Sequence, residues 1–316
     1  MGYNLKRLKL LYETHNLFHY NKLKYLLPLY QKYGIRKNYF SSLSSNTLPA
    51  DSVNDHPWLD REDSATVLPQ NPIFSSFSEQ EKAALLQWST NGYAILKGFY
   101  SEEKVASINQ LLVDLMKDKK MPVKDKRKIM YAVRYSSQMR ELVHIPKLAD
   151  ILSLLMGTSI ELFQSVNFLQ GSEDPAHSDF IHMSTYPYGY LLAVWIALED
   201  IDMENGPLFF HPGSHKLPYI MNSQYDHGGN RWLLGKTNKK NYAQAIDKII
   251  KEHHFETKTF TASKGDVLIW HANLLHGGTK IINPDRTRKS MVMHYFGADV
   301  IQYHEITQRP SLKPAQ

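Results

Sequence analysis

The pattern of apolar and polar positions changes character along the chain. Residues 1 to about 40 set Leu, Phe and Tyr at helical spacing among lysines and arginines, which predicts a basic helical segment. Residues 41 to 76 are rich in Ser, Asp, Asn and Pro and keep no period. They read as an irregular linker or wrapping arm. From Ser78 the pattern becomes regular. Ser78 with Glu81 forms a capping-box signature for a helix that ends at Asn91-Gly92, "YAILKGF" reads as a short strand, and Ser101 caps a second helix with two acids in its first turn. Beyond about residue 160 short apolar runs dominate: "ELFQSVNFL", "YLLAVWIALED", "GPLFFHPG", "GDVLIWHANLLH" and "KSMVMHYF". Each is bounded by turn residues, so each predicts a strand, and strands this short and numerous point to a sandwich or jelly-roll barrel. One insertion between them, "NKKNYAQAIDKIIKEHHFE", is helical in period. The division that follows is a basic extension and linker over 1–76, a mainly β domain with flanking helices over 77–302, and a tail over 303–316.

Composition narrows this picture. Of 316 residues 42% are hydrophobic and 12% aromatic, enough for a substantial core and unlike a disordered chain. There is no cysteine, so any metal must be held by nitrogen and oxygen. No apolar run reaches the roughly 18 residues needed to span a bilayer, and the start does not read as a signal peptide, so a cytoplasmic location is expected. The net charge of +6 is unevenly placed, with one acid, Glu13, in the first 40 residues. Beside a solvated helix surface, the sharper expectation is a peripheral membrane contact through this basic N-terminus. No nucleic-acid module is visible, so a nucleic-acid partner is not expected. The segment is also expected to be dispensable for metal binding.

The candidate chemistry starts from "PAHSDFIHM". His177 and Asp179 are two residues apart, so on one strand end they face one side. A non-haem Fe(II) centre needs two histidines and one carboxylate on one face of the ion. A third ligand must then come from another strand. His276, just before "GGTK", is well placed, with His271 as the alternative; their odd separation keeps a regular strand from offering both. A cosubstrate such as 2-oxoglutarate chelates the metal at one end and leaves a carboxylate that must be neutralised in a dry barrel, for which arginine is best suited. Arg288 and Ser290, again two apart, can supply guanidinium and hydroxyl to one face.

Together "HSDF", "VWIALEDIDMENGPLFFHPGSHK", "GDVLIWHANLLHGG" and "RKSMVMHYF" resemble the phytanoyl-CoA dioxygenase family over roughly residues 77 to 300. That resemblance implies a double-stranded β-helix of jelly-roll, cupin-like form and an oxygenase that uses Fe(II), 2-oxoglutarate and O2 to hydroxylate a small molecule. It implies His177, Asp179 and His276 as iron ligands, Arg288 with Ser290 beside the far carboxylate, and Trp195 near the cosubstrate, where a core position is the other reading. Gln164 and Asn167 lie where relatives place polar contacts, although their odd separation lets a regular strand aim only one inward. An intact Asp179 favours hydroxylation over halogenation. Gly278 stands where the family often has Ser, and the stretch from His276 to Arg288 is one residue longer than the family spacing, which makes Arg286 a rival anchor. His215 reads as a turn residue and His182 as solvent-facing. A Jumonji- or cupin-like metal-binding protein, or a non-catalytic relative, is the alternative function.

Overall fold

A computed structural model describes residues 5–118, 123–124, 127–225 and 229–313; the outermost parts of the expected extension and tail, 1–4 and 314–316, lie outside it. All strand pairing is antiparallel. The larger sheet has the order β1(Tyr93–Leu96), β9(Val267–His271), β6(Leu191–Ala197), β11(Ser290–Gly297), β4(Ile160–Phe168), β3(Lys128–Met130), β2(Val123–Lys124). A smaller sheet runs β10(His276–Gly278), β7(Leu208–Phe210), β8(Lys258–Phe260). A third, β13(Arg309–Pro310), β12(Ile301–His304), β5(Ser184–Tyr186), closes one end.

Alternation along the central strands decides what each face meets. Leu192, Val194 and Ile196 of β6, Val267 and Ile269 of β9, and Met291 and Met293 of β11 point to the helix side, where Val105, Ile108, Ile151 and Leu152 cover them. The intervening positions, Trp195, Leu268, Trp270 and Val292, face Leu208, Phe210 and Phe260 of the smaller sheet. Two sheets packed over an aromatic interior make the jelly-roll core. The apolar run "VLIWHANLLH" does not form one strand. It breaks after His271 and resumes at His276 in the other sheet, so the two histidines belong to different layers.

The helix expected from Ser78 runs Glu79–Leu86, with the capping box made by Ser78 and Glu81, and a separate turn, Trp88–Asn91, ends at Gly92 in the left-handed region (φ 76°). Ser101 caps Glu102–Lys117, and the inserted helix spans Asn238–His253. Among the described residues no helix is long and apolar enough to cross a membrane.

Residues 5–76 wrap the barrel. Leu59, Leu68 and Phe74 join the helix-side core. Leu23, Leu26, Leu29, Tyr30 and Leu43 are buried against Phe180, Phe296, Ile301 and Tyr303. Phe180 directly follows Asp179, so the inner half of the basic segment braces the chain that carries the candidate ligands. The inner half of this segment is therefore packed into the molecule and not a free extension.

Candidate metal centre and its anion pocket

His177 and His276 are brought together by the backbone. Each N–H donates to the other's carbonyl, at 2.9 and 3.0 Å, in an isolated antiparallel bridge that extends β10. Asp179 does not continue a strand, as the sequence suggested. It opens a 3-10 turn, Asp179–Ile181, whose Phe180 N–H donates to Ala272 O at 3.1 Å. The turn swings the carboxylate back between the two rings. One donor atom from each of His177, Asp179 and His276 then lies within 4.8 Å of the others. Asp179 Oδ1 is 4.0 Å from His177 Nε2 and 3.8 Å from His276 Nε2.

The imidazoles are locked. His177 Nδ1 is 2.9 Å from Pro175 O and His276 Nδ1 is 2.9 Å from Leu274 O, so each carries its proton on Nδ1 and turns a bare Nε2 to the carboxylate. Burial pulls His276 down to about 4, keeping it neutral at ordinary pH, as a metal ligand must be. Burial alone would push the Asp179 carboxyl up. His276, His294 and His177 around it outweigh that and hold it well below the usual carboxylate range. Two neutral nitrogens and an ionised oxygen suit a first-row divalent ion such as Fe(II).

Sequence reasoning missed two residues that hold Asp179. Trp270 Nε1 donates to Asp179 Oδ2 at 2.8 Å in a fully buried contact. His294 Nε2 approaches the same oxygen at 3.4 Å without good hydrogen-bond alignment. Gln164, His294, Ala193 and Trp270 form one row across β4, β11, β6 and β9, and the small Ala193 leaves the two rings room to converge. The signal for His294 was available: it lies an even number of residues after Arg288 and Ser290 on the same strand run.

A cleft opens beside the triad, lined among others by Phe168, Trp195, Arg288, Val292 and His294. Arg288 is fully buried. Its Nη1 donates to Ser290 Oγ at 2.7 Å, while Nε and Nη2 have no hydrogen-bond partner among the described residues. The guanidinium lies 5.1 Å from the Phe168 ring and 6.0 Å from that of Trp195, whose Nε1 is also unpartnered. Burial pulls Arg288 down to about 10, which leaves it charged at neutral pH. The rival Arg286 lies on the surface, paired with Asp202 at 2.6 Å and Glu204 at 3.2 Å.

Other positions fall elsewhere. Gln164 lies on the cleft side of β4, its amide 3.4 Å from His294 Nδ1. Asn167 does not reach the cleft. It alternates with Val166 and Phe168, pairs with Ile129 and Met291 of the helix-side core, and its amide has no hydrogen-bond partner. His271 turns away to Asp60 Oδ2 at 3.2 Å, and His215 packs its ring on Gly92 and His271. His182 does not face open solvent: its ring stands 6.5 Å from that of His177 and 5.3 Å from that of His304, and burial pulls it down to about 4. At Gly278 an added Cβ would meet Ser172 Oγ at 2.6 Å, so a hydroxyl from the 172–174 loop stands where the family's Ser would begin.

The sequence profile described as phytanoyl-CoA dioxygenase (PhyH) matches residues 88–290. Among curated proteins, "Phytanoyl-CoA dioxygenase domain-containing protein 1" of Danio rerio is 29% identical over 149 residues, 45% of this chain and 47% of that one. The chain thus spans about half the length of that relative. The ectoine dioxygenase of Sphingopyxis alaskensis is 26% identical over 215 residues, 61% of this chain and 69% of that one. Among solved structures, EctD from S. alaskensis with 2-oxoglutarate and 5-hydroxyectoine superposes with a TM-score of 0.55 at 19% identity, covering 76% of this chain and 86% of the other. The epimerase SnoN in complex with Fe3+, alpha ketoglutarate and nogalamycin RO gives 0.53 at 21% identity, covering 74% and 86%. Likeness at these identities concerns the fold.

Proposed function

Because the chain belongs to the phytanoyl-CoA dioxygenase family, we propose that it is a cytoplasmic Fe(II)- and 2-oxoglutarate-dependent dioxygenase that hydroxylates a small molecule. The observation that supports this most is the pairing of two unlike demands in one cleft. A three-donor metal set stands beside a buried arginine whose Nε and Nη2 have no hydrogen-bond partner among the described residues. Buried polar groups are rarely left unpaired, and an unpaired guanidinium is the costliest kind, so the cleft is built for an anion that also reaches the metal.

In this reading His177 Nε2, Asp179 Oδ1 and His276 Nε2 hold the ion. Arg288 binds the far carboxylate of 2-oxoglutarate, Ser290 fixes the guanidinium, and Trp195 Nε1 and Gln164 donate from the walls. The bound iron supplies activation of O2, coupled to oxidative decarboxylation of 2-oxoglutarate to succinate and CO2, with the second oxygen atom ending as a substrate hydroxyl. The protein orients the substrate and excludes water. Substrate approaches from the side of His177, the most exposed of the three ligands. Asp179 fills the coordination position that halogenation needs open. The basic N-terminal segment is read as a peripheral contact with a membrane surface.

The test is succinate formation with Fe(II) and O2. Asp179→Ala should abolish it. Arg288→Ala should weaken 2-oxoglutarate, titrated anaerobically with Fe(II), by about 3–5 kcal/mol, since the partner charge is left buried. That is roughly two to three and a half orders of magnitude. Ser290→Ala should cost about 1–3 kcal/mol, and Arg286→Ala nothing measurable. If Arg288→Ala binds 2-oxoglutarate as the parent does, the oxygenase reading fails and a cupin-like metal protein takes its place.

A further inference from the structure

The helix Lys9–Phe18 is turned inside out. Its buried side is polar: Lys9 and Asn16 are buried, Asn16 Nδ2 donates to Phe40 O at 3.0 Å, and Glu13 Oε1 accepts from Ser42 N at 2.9 Å. Its outer side carries Leu10, Leu11, Leu17 and Phe18, with Phe18 80% exposed. These four positions fall on one face at helical spacing. Water penalises such an arrangement, and a soluble surface rarely gathers large apolar side chains in one place. Among the described residues thirteen large hydrophobics are exposed; seven lie in residues 5–27. An eighth, Trp232, is fastened next to the helix, because Leu8 bridges Leu233 and Lys9 N donates to Trp232 O at 2.9 Å. The remaining five are scattered.

The surroundings of this face say what covers it. Residues 5–38 hold eight Lys or Arg and one acid, Glu13, which is already bonded to Ser42 N. Lys6, Lys22, Lys24 and Arg231 are exposed around the apolar face, and Arg231 lies over the Trp232 ring at 5.2 Å. A second copy of this chain would set like charge against like. An anionic bilayer presents opposite charge at its surface and apolar chains just beneath, where Leu, Phe and Trp insert.

We infer that the outward face of Lys9–Phe18, with Trp232, is a docking surface for an anionic lipid bilayer. This deepens the peripheral contact proposed above. It is independent of the redox chemistry, because docking is measured without iron or 2-oxoglutarate.

The full-length chain is tested by co-sedimentation with phosphatidylcholine vesicles, with and without phosphatidylglycerol. Binding is expected only with phosphatidylglycerol, and added salt should weaken it. Leu11→Ser with Phe18→Ser, and separately Trp232→Ser, should each lower partitioning about tenfold or more. Lys6→Glu with Arg231→Glu should remove the preference for phosphatidylglycerol. All variants should keep the parent's circular dichroism and 2-oxoglutarate turnover. No binding to anionic vesicles, or binding that none of the substitutions alters, overturns the inference. So does a dimer that the same substitutions dissociate, which would make the face an interface between copies.

Discussion

At the scale of single residues, Asp179 is held on both of its carboxylate oxygens. One oxygen faces two imidazole nitrogens and the other is held by the Trp270 indole at 2.8 Å. A carboxylate clamped this way offers a metal one oxygen in one direction. Trp270→Phe keeps the ring's volume and removes only the donor. We expect it to lower metal affinity about 10- to 100-fold, the usual range for groups that orient a ligand. Titration of the metal-free protein with Co(II), followed by its d–d absorption, checks this; unchanged affinity and an unchanged spectrum would show that Oδ2 needs no anchor. The residues in direct reach of a metal were legible because a His-x-Asp pair and a distal His are a chemical pattern. The residues behind them were less so. Trp270 looks like core in a strand, and only its parity with other inward positions hints otherwise. Asn167 was ambiguous for the complementary reason: polarity alone does not say which face of β4 it occupies.

At the scale of elements, apolar alternation exposed the long central strands. It did not expose the third sheet, whose strands β5, β12 and β13 are two to four residues long and in which β5 pairs with β12 across more than a hundred positions. The helices between residues 132 and 156 also went unread. The basic segment shows a sharper limit. Periodicity identifies a helix with two unlike faces but not which face turns inward, and here the polar side does. The next turn of the same segment reverses this. Leu26 is fully buried against the barrel, while its neighbour Leu27 is 42% exposed. Leu26→Ala should therefore cost about 2–5 kcal/mol, the range for a large-to-small change in a core. Leu27→Ala should stay within about 0.5 kcal/mol. Urea unfolding of both variants decides it; equal effects would mean that the inner arm does not brace the barrel.

At the scale of the whole molecule, the wrapping arm and the closing sheet bury histidines that the chain cannot charge without cost. Burial pulls His182 down to about 4, and His215 and His304 each down to about 3. In the unfolded chain all three take up protons near pH 6.5. Below that value the unfolded state binds protons that the folded state refuses, so stability must fall as the pH drops from about 6.5 toward 4. Each group adds a slope of up to about 1.4 kcal/mol per pH unit. Glu305 acts in the opposite sense: burial raises its carboxyl, so the folded state keeps that proton at slightly higher pH than the unfolded chain does. One group does not reverse the sign set by these histidines, with which buried His276 and His211, also lowered, act in concert. Asp179, held low, adds to the loss only once the pH passes below the ordinary carboxylate range. The urea midpoint of the metal-free protein should therefore decrease steadily from pH 7 to pH 5, with most of the change below about 6.5. His304→Asn should flatten this profile. A midpoint that stays level or rises over this interval would show that these rings accept protons without unfolding, and that the packing around them yields to charge.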